Sequence, residues 1–372
     1  IGFVSRDEVR RAVQFGKVDG VNVDRLIVMP DEKDRLASIE ERAREIEIIF
    51  ERFRQQQSIY GGDVTHSDKS ELIERLKGLE DILNAYLAIQ YGIVNPKSPE
   101  FTKWITSHHP FHWFIEFYGI MLEGGFDIVI GNPPYVEYSQ VSKIYKLYNF
   151  ATIDSGNLYA YVTERSYKLT RDNGIIGMIV QLPIVCTDRM ESLRQLCLQH
   201  SHSAWFSNFD DRPGRLFDGL QHIRATIFMS QKGLPNNHSK VYSTNYNRWY
   251  SEQRPFLFEQ VSYASIRHII RQGSIPKIGD YIALSLFDKI SSHSIFAGVF
   301  GRTGNCIYFH NAPQYWIRAM NFVPYFWNEQ GGEQTSTQVK RLNFLNNQDA
   351  LSAMAILNSS LFYWWFIIFS DC

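Results

Sequence analysis

Two successive prolines, Pro133 and Pro134, follow almost directly on an apolar run, Phe126–Gly131, in the stretch GGFDIVIGNPPYVEY (124–138). Proline donates no backbone hydrogen bond, so the pair cannot lie in a central strand. The run must therefore end at Asn132. A short buried strand that stops on an amide, two prolines and an aromatic ring fixes one strand–loop boundary firmly. The neighbouring segments decide what sheet it joins.

From about residue 110, short apolar segments alternate with helical ones. NLYAYVTERSYKLTRDNG (157–174) reads as a helix, with Asn157 as N-cap and Gly174 as the C′ residue. IIGMIVQLP (175–183) reads as a buried strand, RMESLRQLCLQH (189–200) as a helix, and AWFSNFD (204–210) and ATIFMSQK (225–232) as two more strands. This alternation predicts an α/β fold with a mainly parallel sheet covered on both faces. The last two strands could close it as an antiparallel edge hairpin.

Upstream, residues 36–58 place Leu36, Ile39, Ala43, Ile46, Ile49, Phe50 and Phe53 at helical spacing. Residues 71–91 repeat the pattern with Leu72, Leu76, Leu79, Leu83 and Leu87, with Ser70 as a plausible N-cap. A helical hairpin results, as a structural spacer or as a partner-docking coiled coil. Downstream of Gly233, LPNNHS is a polar linker, and residues 236–372 carry 11 Lys+Arg against 8 Asp+Glu. That weakly basic balance is compatible with a nucleic-acid contact domain. The expected division is 1–109 helical, 110–235 α/β, and 236–372 a mixed α+β domain.

The net charge of −1 gives no global basic field and argues against a histone-like binder. Cys186, Cys197, Cys306 and Cys372 show no metal-binding spacing and read as reduced thiols of an intracellular, cytoplasmic protein. No apolar run reaches membrane-spanning length; LFYWWFIIF (361–369) reads as a packed core helix or strand. The chain begins on Ile1 and stops just after that run, which suggests a piece of a longer protein.

The chemistry open to Asn132-Pro133-Pro134-Tyr135 is specific. A ring-attached amine such as N6 of adenine is a poor nucleophile because its lone pair is delocalised. It can be activated by accepting its two N–H bonds at fixed positions, on the Asn132 side-chain oxygen and the Pro133 carbonyl. The prolines remove competing donors and hold the carbonyl's direction. Tyr135 offers a face for base stacking, a contact of about 1–3 kcal/mol. No metal or histidine base is needed. The site would lie past a strand's carboxyl end, where open α/β sheets bind ligands. The plain alternative is a rigid exit turn.

FDIVIGNPPY resembles the catalytic motif of the amino-methyltransferases, above all the N6-adenine-specific DNA methyltransferases. The longer phrase FIEFYGIMLEGGFDIVIGNPPYVEY resembles the large, type IIG-like enzymes of restriction–modification systems. The resemblance covers residues 110 to 235 well and the ends loosely. It implies a partial Rossmann-like methyltransferase sheet and the start of a target-recognition domain after residue 236. It also implies double-stranded DNA as partner and S-adenosyl-L-methionine as cofactor. Asn132 and Pro133 would bind the adenine amine, Tyr135 would stack on the flipped base, and Pro134 would be a further substrate-binding residue.

The family supplies a second aromatic wall from the loop between its last two strands. Here that is DDRPGRLFDGLQHIR (210–224), and Phe217 is the expected wall, unless it plugs the loop into the core; Phe209 is the runner-up and more plausibly packs inward. Arg212 and Arg215 either contact phosphates or pair with Asp210 and Asp211. The segment 136–156, with Lys143 and Lys146, is either a mobile lid or a plain surface loop.

The family's Gly-rich cofactor turn and its following acidic residue are not found before residue 126. Residues 1–105 look like the helical insertion that separates the two halves in large members, so the cofactor half is expected upstream of Ile1. Alternatives are a protein-glutamine or RNA amino-methyltransferase, and a non-catalytic DNA-binding or specificity fragment.

Overall fold

The computed structural model describes residues 17–18, 21–22, 41, 45–46, 48–50, 66–147, 150–217, 222–236, 239–270, 274–293, 296–311 and 317–370. The chain divides into two compact units, residues 1–176 with 231–233, and residues 177–230 with 234–372.

In the first unit, helix α1 (His66–Ile89) and helix α2 (Pro99–His108) build an apolar core. Leu72, Leu79, Leu83 and Leu87 recur on one face of α1 and are buried with Trp104, Phe114, Ile115 and Tyr118. The first arm of the expected hairpin falls mostly outside the described residues. Those described are helical, and Ile46 is fully buried in the same core. Arg75 reaches Glu45 at 2.6 Å, an exposed pair that contributes little. Helix α1 starts four residues before Ser70, which lies inside the helix and is exposed, so Ser70 is not the cap. The capping device belongs to α2: Ser98 accepts a hydrogen bond from Phe101 N at 3.2 Å, and Pro99 takes the first helical position.

Strand β1 (Phe126–Gly131), helix α3 (Leu158–Leu169) and the first half of strand β2 (Thr170–Gln181) complete this unit. Asn157 caps α3 as expected, accepting from Tyr159 N. The helix stops at Leu169, well before Gly174. Thr170 turns extended, and its hydroxyl donates back to Ser166 O at 2.7 Å. Asn173 carries the positive φ of 63°. Gly174 lies within β2, where a Cβ would stand 2.9 Å from the carbonyl oxygen of Asp127. The glycine is required by the close approach of β1, and it is not a helix terminator.

The second unit carries the rest of β2, helix α4 (Glu191–Gln199), and strands β3 (Ser201–Phe209), β4 (Ala225–Lys232), β5 (Lys240–Asn247) and β6 (Ala264–Ser265). The strand order is β1-β2-β4-β3-β5-β6, a mostly parallel sheet with antiparallel strands. β5 runs parallel to β3, with Ala204 opposite Val241, and β6 is antiparallel to β5. β3 and β4 are neighbours as expected; because β5 and β6 add beyond β3, the pair lies inside the sheet. The sheet's end is β1. That strand is not buried: Ile128 is 62% and Ile130 77% exposed.

Beyond the sheet, helix α5 (Tyr281–Ser291) starts on Asp280, which accepts from Ala283 N. Strands β7 (Phe300–His310), β8 (Ala319–Met320) and β9 (Val339–Phe344) form an antiparallel sheet in the order β8-β7-β9. Its inner face buries Ile307, Ala319 and Phe344 against Ala350 and Ala353 of helix α6 (Asn347–Leu357). The apolar piece 361–369 is helix α7 (Ser360–Phe369), and Trp365 stacks on Phe287 at 5.2 Å. Only Ile368 in it is fully buried, so it packs with one side and is not a core element throughout. Among the described residues no single helix is long and apolar enough to cross a membrane; α6 and α7 reach that length only as a pair bent by 68°.

Candidate active site

β1 delivers the chain to Asn132, whose side chain is exposed; Pro133 is buried, Pro134 exposed and Tyr135 half-buried. The four residues expected to act together are brought together. The Tyr135 hydroxyl donates to Asn132 Oδ1 at 3.2 Å. The Tyr135 ring stands edge-on to Tyr159, centroids 6.2 Å apart, and Tyr159 is fully buried in the first turn of α3. Burial pushes the Tyr135 phenol up to about 12, so it stays a protonated donor across the neutral range. An amide oxygen, a carbonyl fixed by two prolines and an aromatic face are thereby assembled at the carboxyl end of a strand.

The loop that follows is pinned at both ends, which sequence reasoning left open between a lid and a plain surface loop. At its base, Tyr138 N donates to Gly156 O at 2.8 Å and Leu158 N to Val136 O at 2.9 Å. Asn157 Nδ2 donates to Glu137 Oε1 at 3.0 Å, so one residue caps α3 and ties down the motif's exit. The buried Glu164 carboxylate accepts from Ala151 N, Thr152 N and the Thr152 hydroxyl at 3.2, 3.0 and 2.8 Å. At the tip, the Tyr138 hydroxyl donates to Tyr145 O and accepts from Leu147 N. Lys146 is engaged with the helical segment: its N–H donates to the Tyr91 hydroxyl and its Nζ to Gln90 O. Lys143 is exposed. Asn157 was legible as a cap; the roles of Glu137, Tyr138 and Glu164 were not, since nothing local marks contacts 7 to 20 residues apart.

The second expected element lies in the other unit. Phe209 packs inward, fully buried with Trp249 and Leu257. Phe217 is half-buried, next to Leu216, which packs on that same cluster. Arg212 stands 3.8 Å from Asp211 and 3.0 Å from His222 Nδ1. Arg224 stands 3.6 and 3.7 Å from the carboxylates of Asp210 and Asp211, and Arg248 donates to Asp210 at 2.8 Å. Burial alone would raise the Asp210 carboxyl; the neighbouring Tyr246 hydroxyl and hydrogen bonds from Arg248 and Asp211 N outweigh it and hold the group below its ordinary value. Arg215 is exposed, and its carbonyl oxygen is held by Arg254.

Residues 52–214, which include Asn132–Tyr135, match the Eco57I restriction-modification methylase family. A Methanocaldococcus jannaschii protein, "Putative type II restriction enzyme and methyltransferase RM.MjaORFECS2P", is 31% identical over 100 residues. That match spans 27% of this chain and 8% of the relative's length. Both bear out the resemblance to restriction–modification methyltransferases. Among solved structures, the DrdV–DNA complex is 12% identical with a TM-score of 0.31, covering 43% of this chain and 19% of that one. The ATP-dependent Type ISP restriction-modification enzyme LlaBIII bound to DNA is 16% identical with a TM-score of 0.34, covering 53% and 15%. The type IIG restriction endonuclease BpuSI is 10% identical with a TM-score of 0.27, covering 51% and 25%.

Proposed function

We propose that this chain carries the methyl-acceptor half of a DNA adenine-N6 methyltransferase of a restriction–modification or related phage-defence system, acting on a flipped base in double-stranded DNA. One observation carries the reading: Asn132 Oδ1 and the Pro133 carbonyl stand at a strand's carboxyl end beside Tyr135, inside the segment that matches the methylase family. Asn132 and Pro133 accept the two amine N–H bonds and localise the nitrogen lone pair. Tyr135 would stack on the extruded base, and Phe217, carried by the other unit, is the residue proposed as a second aromatic wall for such a base. Residues 236–372 would begin the target-recognition domain, and the cytoplasm is the compartment where such an enzyme meets DNA.

S-adenosyl-L-methionine would supply an electrophilic methyl group. The described residues do not fit that cofactor by themselves. Upstream of Phe126 the described residues form helices joined by turns and loops, apart from the two-residue ribbon Lys17–Val18 and Val21–Asn22, with no strand among them running into a Gly-rich turn. The exposed apolar edge of β1 supports the view that a further part of the sheet, carrying the methyl donor, adds there. The isolated 372 residues are then expected to bind the cofactor poorly and transfer no methyl group.

The test is Asn132→Ala in the complete enzyme, assayed by methyl transfer to duplex DNA. Loss of one such activating acceptor is expected to lower the rate about 10²–10³-fold. Wild-type adenine methylation by the variant would sink the assignment, and transfer to RNA or to a glutamine peptide in place of DNA would move the substrate.

A further inference from the structure

The loop that carries Phe217 is held by a clamp outside the motif. Arg254 NH1 donates to Leu216 O at 2.9 Å and NH2 to Arg215 O at 2.6 Å. These are the two carbonyls directly before Phe217. The guanidinium also lies over the Trp249 ring, 5.2 Å from its centroid. Trp249 is buried with Phe209 and Leu257, and Leu216 packs on that cluster. Two residues earlier in the loop, Gly214 N donates to Trp249 O at 2.7 Å. A Cβ on Gly214 would stand 2.7 Å from that same oxygen and 2.8 Å from the indole, so the loop and the tryptophan fit only with glycine there. The segment before Phe217 is thus fixed by three hydrogen bonds to 249–254.

A planar fork across two consecutive carbonyls, backed by an aromatic face, is a geometry only arginine supplies. It fixes the backbone that enters Phe217 while leaving that side chain half-exposed. We propose that Arg254 is a positioning residue for Phe217, setting where that ring stands against a flipped base. The proposal rests on the reading of Phe217 as a wall of the base pocket.

The test uses the complete enzyme with two duplexes: one carries 2-aminopurine at the target position, whose fluorescence rises when the base leaves the stack, and the other carries adenine there, on which kcat and KM are read. The wild type should show the rise. Arg254→Ala should lower the rise and reduce kcat about tenfold, with KM for DNA within about twofold, because the wall is misplaced and no DNA contact is lost. Arg254→Lys, which can hold one carbonyl only, should fall between. Adding Arg254→Ala to Phe217→Ala should change nothing further, since the clamp acts through the ring it places. Independent, additive effects would overturn the proposal, as would a raised KM with a shallower salt dependence, which would make Arg254 a phosphate contact. Wild-type enzyme that methylates adenine without any fluorescence rise would overturn the base-flipping reading and this inference with it. Wild-type flipping with an unchanged Arg254→Ala variant would overturn this inference alone.

Discussion

Strand β1, FDIVIG, is almost wholly apolar and lies open, with Ile128 and Ile130 mostly in solvent. Strand β3, SHSAWFSNF, carries Ser201, His202, Ser203, Ser207 and Asn208, and is buried along most of its length. Hydropathy alone would assign them the other way round. β3 lies between β4 and β5 and so has a ladder on both edges, whereas β1 ends the sheet. The polar groups of β3 are tolerated inside because each meets a partner. Ser201 shares a 2.6 Å contact with Ser230, Ser207 one of 2.7 Å with Tyr263, and Asn208 is bonded on both ends of its amide. Burial follows from layers and ladders, and polarity is admitted where it is satisfied.

The largest expected effect comes from breaking the satisfied interior. Asn208 Nδ2 donates to Ser243 Oγ and Thr244 O, while its Oδ1 accepts from the Thr226 hydroxyl. Asn208→Ala strands these buried groups and should cost about 3 kcal/mol in urea unfolding of this chain. A cost under about 0.5 kcal/mol would mean that the network is dispensable and that the contrast with β1 rests on ladders alone.

A middling effect is expected at Asp210, where β3 ends. Against the upward push of burial, the neighbouring Tyr246 hydroxyl, Arg248 and Asp211 N hold its carboxyl below the ordinary 3.8. A depressed folded value means that its stabilising contribution is fully present above the unfolded value. It is lost as pH falls through 3.8 towards the folded value. Asp210→Asn should lower stability by about 2 kcal/mol at neutral pH and flatten the acid limb of a stability–pH curve. A variant that keeps the steep wild-type limb would assign it to another carboxylate.

The same contrast explains what was legible in the sequence. The end of β1 was readable because two prolines enforce it within the chain's own covalent structure. The Asn157 cap and the leucine face of α1 were readable because their contacts lie within one or two turns. Gly174 was misread as a helix end, since its tight neighbour is Asp127 O, 47 residues away by number (174 − 127). The exposure of β1 was misread because an apolar strand tells its preference, and its place in the sheet order is set by partners elsewhere. The clamp on Phe217 joins residues 38 and 39 apart and has no local signature at all. Of the candidate site, the motif was local and visible; the groups that hold it in place were not.

The smallest effect is expected on the open strand, and it is the most informative. Ile130 is 77% exposed, so Ile130→Lys should leave the urea midpoint of this chain unchanged within about 0.5 kcal/mol. A lysine on an edge strand also opposes pairing with other chains, so the variant should sediment with less aggregate than the wild type. The complete enzyme should behave differently. If further strands and a covering layer add to β1, as proposed for the methyl-donor part, the ammonium group would be buried there without a partner and cost several kcal/mol. Equal tolerance in both proteins would leave β1 a true edge and remove the structural support for a donor part that docks there. Intolerance already in the 372-residue chain would mean that the strand's own chain covers it. An apolar strand that accepts a charge in one context and refuses it in the other locates the seam between the two halves of the site.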